Sequence, residues 1–331
     1  MAALLGTRMT KQLKQRIGAV IVTWNSAAEI GSCLEAAHKA GVTEIVVVDN
    51  GSSDETIEIV KEYAGVQLLS FPENLGFAGG VNQGVATLTC DFALILNPDC
   101  RVESGLNDMA VAAELGAAGG KLLAADGTMQ TGFAVRRLPS AIVLIFETLG
   151  LNRLFPGNPV NRRYRCLDFD PDLPQEIEQP PAAFFLVRRD LFQQLGGMDE
   201  AFWPVWFEDV DFCARFAKAG YRIYYCPSAI AWHGGAASID KILWSSRELA
   251  WYGSLLRYAT KHFGWLSRCL VGLAVAAASV PKALMGIIYR RQGVRALGVF
   301  TRVLRLVWMS LVLGRVDNRR FRRQLEGPDQ L

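Results

Sequence analysis

The chain has 331 residues, 51% of them hydrophobic, with a mean hydropathy of +0.18 and a formal net charge of +3. That length accommodates one layered α/β domain of about 230 residues and an appendage, and the hydropathy is high for a purely soluble protein. Seven cysteines, an odd number with no C-x-x-C pair, read as reduced thiols of a cytosolic compartment and argue against a disulfide framework.

Ala2-Ala3-Leu4-Leu5 is the one apolar run before Arg16, too short for a signal-peptide core. Gly6-Thr7-Arg8 has the look of a nucleotidyltransferase phosphate loop, but no strand precedes it, so it is read as chance. Ile17–Thr23 is an apolar, β-branched run that predicts a buried parallel strand. A helix is expected over Ala27–Ala40 and a strand over Glu44–Val48, closing on the turn Asp49-Asn50-Gly51-Ser52-Ser53-Asp54. A helix to Tyr63, a strand over Val66–Phe71, a glycine-rich loop Pro72–Gly80, a helix to about Leu88 and a strand over Phe92–Leu96 follow. This alternation with short connections predicts a parallel sheet with helical crossovers. The NAD-binding reading fails, because the glycines follow the third strand and Thr23-Trp24-Asn25-Ser26 follows the first.

Further on, Ser104–Leu115 predicts a helix and Gly120–Leu123 a strand, with a turn at Asp126-Gly127. Periodicity fades from Arg136 to Pro181, the kind of irregular stretch that is functional or disordered. A buried strand is expected over Ala182–Val187 and a short helix from Asp190. A helix from Glu208 to Ala219 is stopped by Gly220, and strand-like pieces at Tyr221–Cys226 and Ala229–Trp232 follow.

Several residues carry a chemical reading beside a plainer one. Asp49, at a strand end, is either a turn residue or the acceptor for a pyrimidine imide N–H. Asn97-Pro98-Asp99 is a turn signature, or a carboxylate placed for Mg²⁺ or Mn²⁺ on a diphosphate. Glu208, Asp209 and Asp211 suit a helix N-terminus electrostatically, at roughly 0.3–1 kcal/mol each, and Asp211 with Arg215 has the spacing of a surface pair. Trp203, Trp206 and Phe207 before them would raise a carboxylate toward the pKa of a useful base. His233 is a structural histidine, or a ligand whose neighbours Gly234 and Gly235 permit close approach.

Taken in order, Thr23-Trp24-Asn25, Val48 to Asp54, Asn74 to Asn82, Leu96-Asn97-Pro98-Asp99, Gly196-Gly197-Met198-Asp199-Glu200 and Glu208 to Tyr221 closely resemble inverting glycosyltransferases of family 2, in their rhamnosyltransferase-like branch. The resemblance covers about residues 17–240. It implies an α/β, GT-A type, mostly parallel sheet flanked by helices, with a Rossmann-like nucleotide-binding half. On that basis residues 1–16 form a tail, 17–103 the nucleotide half, 104–262 the acceptor half, and 263–331 a C-terminal extension. Carried over by position, Thr23, Asn25 and Asp49 hold base and ribose, with Asn50, Gly76, Asn82 and Asn97 completing the nucleotide site. Asp99 matches the last acid of the D-x-D motif for Mg²⁺ or Mn²⁺, and His233 a late metal or diphosphate ligand. Asp209 matches the catalytic base, with Glu208 beside it. Asn97 departs from the Asp many relatives carry, although Asn-Pro-Asp is common in this branch. The implied reaction moves a sugar, foremost L-rhamnose from dTDP-L-rhamnose, to a lipid-linked or polysaccharide acceptor. A UDP-hexosamine or UDP-galactofuranose donor, and a catalytically silent nucleotide-sugar-binding protein, are the alternatives.

From Arg257 onward there are 14 basic and three acidic residues, against 21 basic and 29 acidic before it. The basic tail points to an anionic surface, and with no groove-reading module nucleic acid is not expected. Residues 239–262 predict an amphipathic helix. Cys269–Tyr289 is apolar but interrupted at Pro281-Lys282, and Cys269–Pro281 falls short of the roughly 20 residues of a span. Arg290-Arg291 follow. Ala296–Gly314 is apolar with Arg295, Arg302 and Arg305 on one face, and Arg315–Arg323 adds five arginines. These features suit a peripheral helix on the cytoplasmic face of a bacterial inner membrane. A helical pair buried on the catalytic domain, or in a homodimer, is the alternative.

Overall fold

The computed structural model describes residues 16–235, 244–288 and 294–316. The N-terminal tail with Gly6-Thr7-Arg8, the start of the expected 239–262 helix, Arg290-Arg291 and the arginines at 319–323 lie outside the described residues.

β1 (Ile17–Thr23) is buried along its whole length, as its branched apolar run requires. After α1 (Ala27–Lys39) and β2 (Glu44–Asp49) come α2 (Thr56–Lys61), β3 (Val66–Ser70), α3 (Gly76–Thr87) and β4 (Phe92–Leu96). β1 pairs in parallel with β2 and β4, and β2 with β3. The register places Thr23 opposite Asp49, so the loops that follow these strands open on one edge. Alternate β1 residues feed opposite faces: Ala19 and Ile21 pack toward α1, Val20 and Val22 toward α3.

The glycine-rich segment is a helix from Gly76 rather than a loop to Gly80. A Cβ at Gly84 would lie 2.3 Å from Val20 Cγ1, and one at Gly80 2.7 Å from Val22 Cγ1. Glycine costs a helix roughly 1 kcal/mol against alanine. Here it lets α3 lie directly on the sheet, a tertiary reason that no local pattern shows.

The second half supplies β5 (Cys100–Ser104), α4 (Leu106–Ala113), β6 (Gly116–Leu123), β7 (Gln175–Ile177), β8 (Phe184–Arg188), α8 (Arg189–Gln194), α9 (Glu208–Lys218) and β9 (Arg222–His233). Strand order is β3-β2-β1-β4-β8-β6-β9-β5, with β7 on β9. β8 runs antiparallel to β4 and β6, β9 antiparallel to β5 and β7, and only β6–β9 is parallel in this half. The sheet is therefore mixed, not mostly parallel; a buried strand of either direction reads as the same apolar run. β5 was not foreseen, and the two pieces expected at 221–232 form one strand with a register shift opposite Gly120/Lys121. The irregular stretch after Arg136 holds the short helices α5 (Ala141–Thr148), α6 (Leu151–Leu154) and α7 (Pro159–Tyr164).

The C-terminal region forms α10 (Trp244–His262), α11 (Trp265–Ile288) and α12 (Val294–Leu313). Contrary to the expected interruption, α11 continues through Pro281. Leu249, Tyr252 and Leu256 of α10, Val271 and Val275 of α11, and Val303 and Leu306 of α12 share a core with Phe202, Trp203, Phe207 and Val210. At roughly 1.5–3 kcal/mol for each fully buried large side chain, this seam binds the extension to the catalytic body. Among the described residues no helix is long and apolar enough to cross a membrane.

Candidate active site

A cavity of about 270 Å³ opens at the carboxyl ends of β1, β2 and β4, bounded opposite by the N-terminus of α9. Of the residues expected to hold nucleotide, Thr23, Asn50 and Asn97 line it. Asp49 lies behind them, fully buried. Its Oδ2 accepts from Thr23 Oγ1 at 2.9 Å and from Ser52 Oγ at 2.5 Å, and its Oδ1 from Ser52 N at 2.9 Å. One acceptor position on Oδ1 remains. Asn25 takes a left-handed conformation, which asparagine tolerates, and its Oδ1 accepts from Ser53 N at 2.7 Å, tying the first loop to the second. Asn50 Nδ2 donates to Gly76 O at 3.2 Å, and its Oδ1 accepts from Leu75 N at 3.3 Å. Gly76, at φ +78°, faces Trp203, where a Cβ would approach Cδ1 to 2.7 Å. These contacts fix the loops of the nucleotide half against the acceptor half.

Asn82 is committed to the acceptor half. Its Nδ2 donates to Met198 O at 2.9 Å and Glu200 Oε1 at 3.0 Å, while its Oδ1 accepts from Met198 N at 2.9 Å. Its amide is used in holding the Gly196–Glu200 turn, and it does not line the cavity.

Pro98 ends β4's line and β5 starts at once, so Asp99 faces the cavity beside His233, the last residue of β9. The register Cys100↔His233 enforces the pairing, and His233 Nε2 lies 3.5 Å from Asp99 Oδ1. Gln130, absent from the sequence reading, sets the state of that imidazole. Its Nε2 donates to His233 O at 2.8 Å, which fixes the amide and turns Oε1 to His233 Nδ1 at 2.9 Å. Oε1 only accepts, so Nδ1 carries the proton and the Nε2 lone pair faces Asp99. Burial lowers the His233 pKa, opposed by Asp99, which keeps the ring neutral. Phe133 stacks on it at 5.2 Å and 5°. Donor atoms of Asp99, Cys100 and His233 lie within 4.8 Å of one another. Burial, reinforced by Asp99, pushes the Cys100 thiol up, leaving carboxylate and imidazole as the ready donors. That set fits a divalent cation that keeps positions open for phosphate oxygens.

The other wall carries Glu208, Asp209, Trp206, Phe207 and Trp251. Asp209 Oδ2 accepts from Gln179 Nε2 and Ala182 N, both at 3.3 Å, and Oδ1 from Val210 N at 2.7 Å. Burial raises its pKa, held in check by Arg136. Burial, then the Asp209 charge, raises Glu208 well above the usual carboxylate range, and Glu208 Oε2 is buried without a hydrogen-bond partner among the described residues. Asp211 points the other way. It is fully buried among Arg215 Nε at 2.8 Å, Lys261 Nζ at 2.8 Å and His262 Nε2 at 2.7 Å, and is not the surface partner its spacing suggested. Burial favours its neutral form, but hydrogen bonds from His262, Lys261 and Arg215 prevail and bring its pKa to about 2.

The family model for glycosyl transferase family 2 matches residues 19–134, and that for the N-terminal domain of galactosyltransferase matches residues 172–232. The chain is 30% identical over 238 residues to the N-acetylglucosaminyl-diphospho-decaprenol L-rhamnosyltransferase of Mycobacterium tuberculosis, covering 67% of this chain and 76% of that one. This chain belongs to glycosyltransferase family 2. More distant similarity joins this glycosyltransferase to the O-antigen chain rhamnosyltransferase RfbN of Salmonella typhimurium, 22% identical over 236 residues, 66% of either chain. Among solved structures, S. aureus TarS 1-349 aligns over 94% of this chain and 86% of that one, with a TM-score of 0.49 and 15% identity. The mixed sheet flanked by helices is a GT-A-like fold.

Proposed function

We propose that this enzyme transfers L-rhamnose, with inversion, from dTDP-L-rhamnose to a lipid-linked or polysaccharide acceptor. The observation that carries the proposal is one cavity lined by both Asp209, a carboxylate of raised pKa, and Asp99, which His233 approaches from behind. Thr23, Asn50 and Asn97 face the nucleotide, with Asp49, Asn25 and Gly76 shaping its site from behind. Asp209 accepts the proton of the acceptor hydroxyl as that oxygen bonds to the anomeric carbon, and the bonding pair to the diphosphate leaves with the diphosphate oxygen. The neighbouring Glu208 keeps the electrostatic setting of that base. Asp99 and the Nε2 lone pair of His233 would hold a divalent cation, and the imidazole would favour Mn²⁺ over Mg²⁺. Bound there, the cation supplies Lewis-acid stabilisation to the leaving diphosphate.

The rhamnosyl reading is supported by the named activity of the Mycobacterium relative, and the lipid-linked acceptor by the same name. A UDP-hexosamine or UDP-galactofuranose donor is the second reading, favoured by the galactosyltransferase match over the acceptor half. A panel of dTDP- and UDP-sugars, with and without Mn²⁺ or Mg²⁺ and read by nucleoside diphosphate release, decides between them. Asp209→Asn should lower turnover by about 10²–10⁴-fold with nucleotide affinity kept within about twofold; an active variant removes Asp209 from the role.

The extension supports a peripheral position on the cytoplasmic face of a bacterial membrane. α11 and α12 bury one face on the enzyme yet expose a second apolar one: Leu266, Leu273 and Val280 are 61–65% exposed, Trp308 54% and Val312 62%. Arg302 and Arg305 are exposed beside them, a pairing suited to acyl chains and anionic headgroups.

A further inference from the structure

Arg136 stands between the two chemical corners of the cleft. Its N–H donates to Gln179 O at 3.0 Å and its carbonyl accepts from Gln179 N at 3.1 Å, while Gln179 Nε2 donates to Asp209. On the other side its guanidinium carbon lies 5.3 Å from the Phe133 ring centroid, and Phe133 stacks on His233. Arg136 is the only Lys or Arg among the described residues lining the cavity. Asp209 feels its charge, yet among the described residues no carboxylate forms an ion pair with it, and its Nε is buried without a hydrogen-bond partner.

A half-buried guanidinium whose Nε is cut off from water favours an anion beside it, and the π face of Phe133 offsets only part of that demand. Its planar fork of N–H donors matches adjacent phosphate oxygens, a geometry that an ammonium lacks.

We propose that Arg136 binds a diphosphate directly and supplies the positive charge that the cleft's own side chains otherwise lack. The inference rests on the sugar-nucleotide reading. The C–O bond from sugar to diphosphate breaks with its electrons going to the diphosphate oxygen, and Arg136 is placed to stabilise the charge that appears there. A prenyl diphosphate acceptor presents the same chemistry, so the test separates the two sources.

Calorimetric binding of dTDP, dTMP, UDP, UMP, farnesyl diphosphate and farnesyl monophosphate is compared for the wild type, Arg136→Gln and Arg136→Lys, with and without Mn²⁺. Expected for Arg136→Gln is an about tenfold to hundredfold loss of nucleoside diphosphate affinity, with nucleoside monophosphate affinity within about twofold. Arg136→Lys should recover part of the loss, and a thermal melt of both variants verifies folding. A loss confined to farnesyl diphosphate assigns the residue to the acceptor's diphosphate. Equal losses for mono- and diphosphates, or none, overturn the proposal. A wild-type protein that binds no nucleoside diphosphate overturns the donor reading instead, and the farnesyl arm then still decides for Arg136.

Discussion

At the scale of single residues, the cleft is governed by which lone pairs and protons are left over after the protein has satisfied itself. His233 illustrates this. Its reactive nitrogen is set by Gln130, more than a hundred residues earlier in the chain, whose amide is oriented by the His233 carbonyl. Gln130→Leu removes the acceptor and frees the ring to take the other tautomer. Mn²⁺ affinity, followed by paramagnetic resonance of the free ion without any turnover, should fall about tenfold to a hundredfold; unchanged affinity would show that Gln130 does not position the ligand. The placement of Asp99, Asp209 and His233 near the ends of elements was legible in the sequence because those elements have a local pattern. Gln130, Arg136 and Gln179 were not. They lie in or beside the aperiodic stretch, and reach the cleft only through pairings such as Arg136 with Gln179 that no spacing encodes.

At the scale of elements, α9 sorts its acids by geometry. Residues two apart on a helix are separated by roughly 200°, so Asp209 looks into the cleft while Asp211 looks toward α10. The sequence offered both as helix-start acids, and the cations that distinguish them, Lys261 and His262, are 50 and 51 residues away. The Asp211 carboxyl titrates at about 2 in the folded chain against 3.8 for its ordinary value. Its charge therefore contributes about 2 kcal/mol at pH values above its ordinary pKa. The contribution declines below pH 4 and is gone once the folded carboxyl is protonated near pH 2. Asp211→Asn should lower the denaturation free energy at pH 7 by that amount or more, and the difference from the wild type should shrink in acid. A pH-independent difference in urea midpoints would point to packing instead. The parallel half β1 to β4 was readable from alternating apolar runs and turns. The antiparallel insertion of β8 was not, since burial on both faces erases the pattern that tells strand direction.

At the scale of the whole molecule, the described part of the extension holds no helix long and apolar enough to cross a membrane, and it packs on the catalytic body. One face of α11 and α12 completes the core around Phe202 and Phe207, so cutting the chain after Arg268 would remove Val271, Val275 and Val303, uncover Phe202, Tyr252 and Leu256, and confound unfolding with release. The cleaner test alters the outer face alone. A Leu273→Glu/Trp308→Glu double variant should lose flotation with vesicles containing anionic phospholipid while its melting temperature stays within a few degrees of the wild type. Undiminished flotation would place the contact elsewhere.

The position of β8 also bears on how the chain comes into being. The strand lies between β4 and β6, with Leu96 opposite Phe184. During synthesis the first four strands and their helices emerge with β4 as an open, apolar edge, and its partner is still to be translated. Such an edge invites pairing with other chains. The floor of the cleft is thus closed late, by a strand of high sequence separation, and the nascent enzyme depends on protection of that edge until the acceptor half arrives.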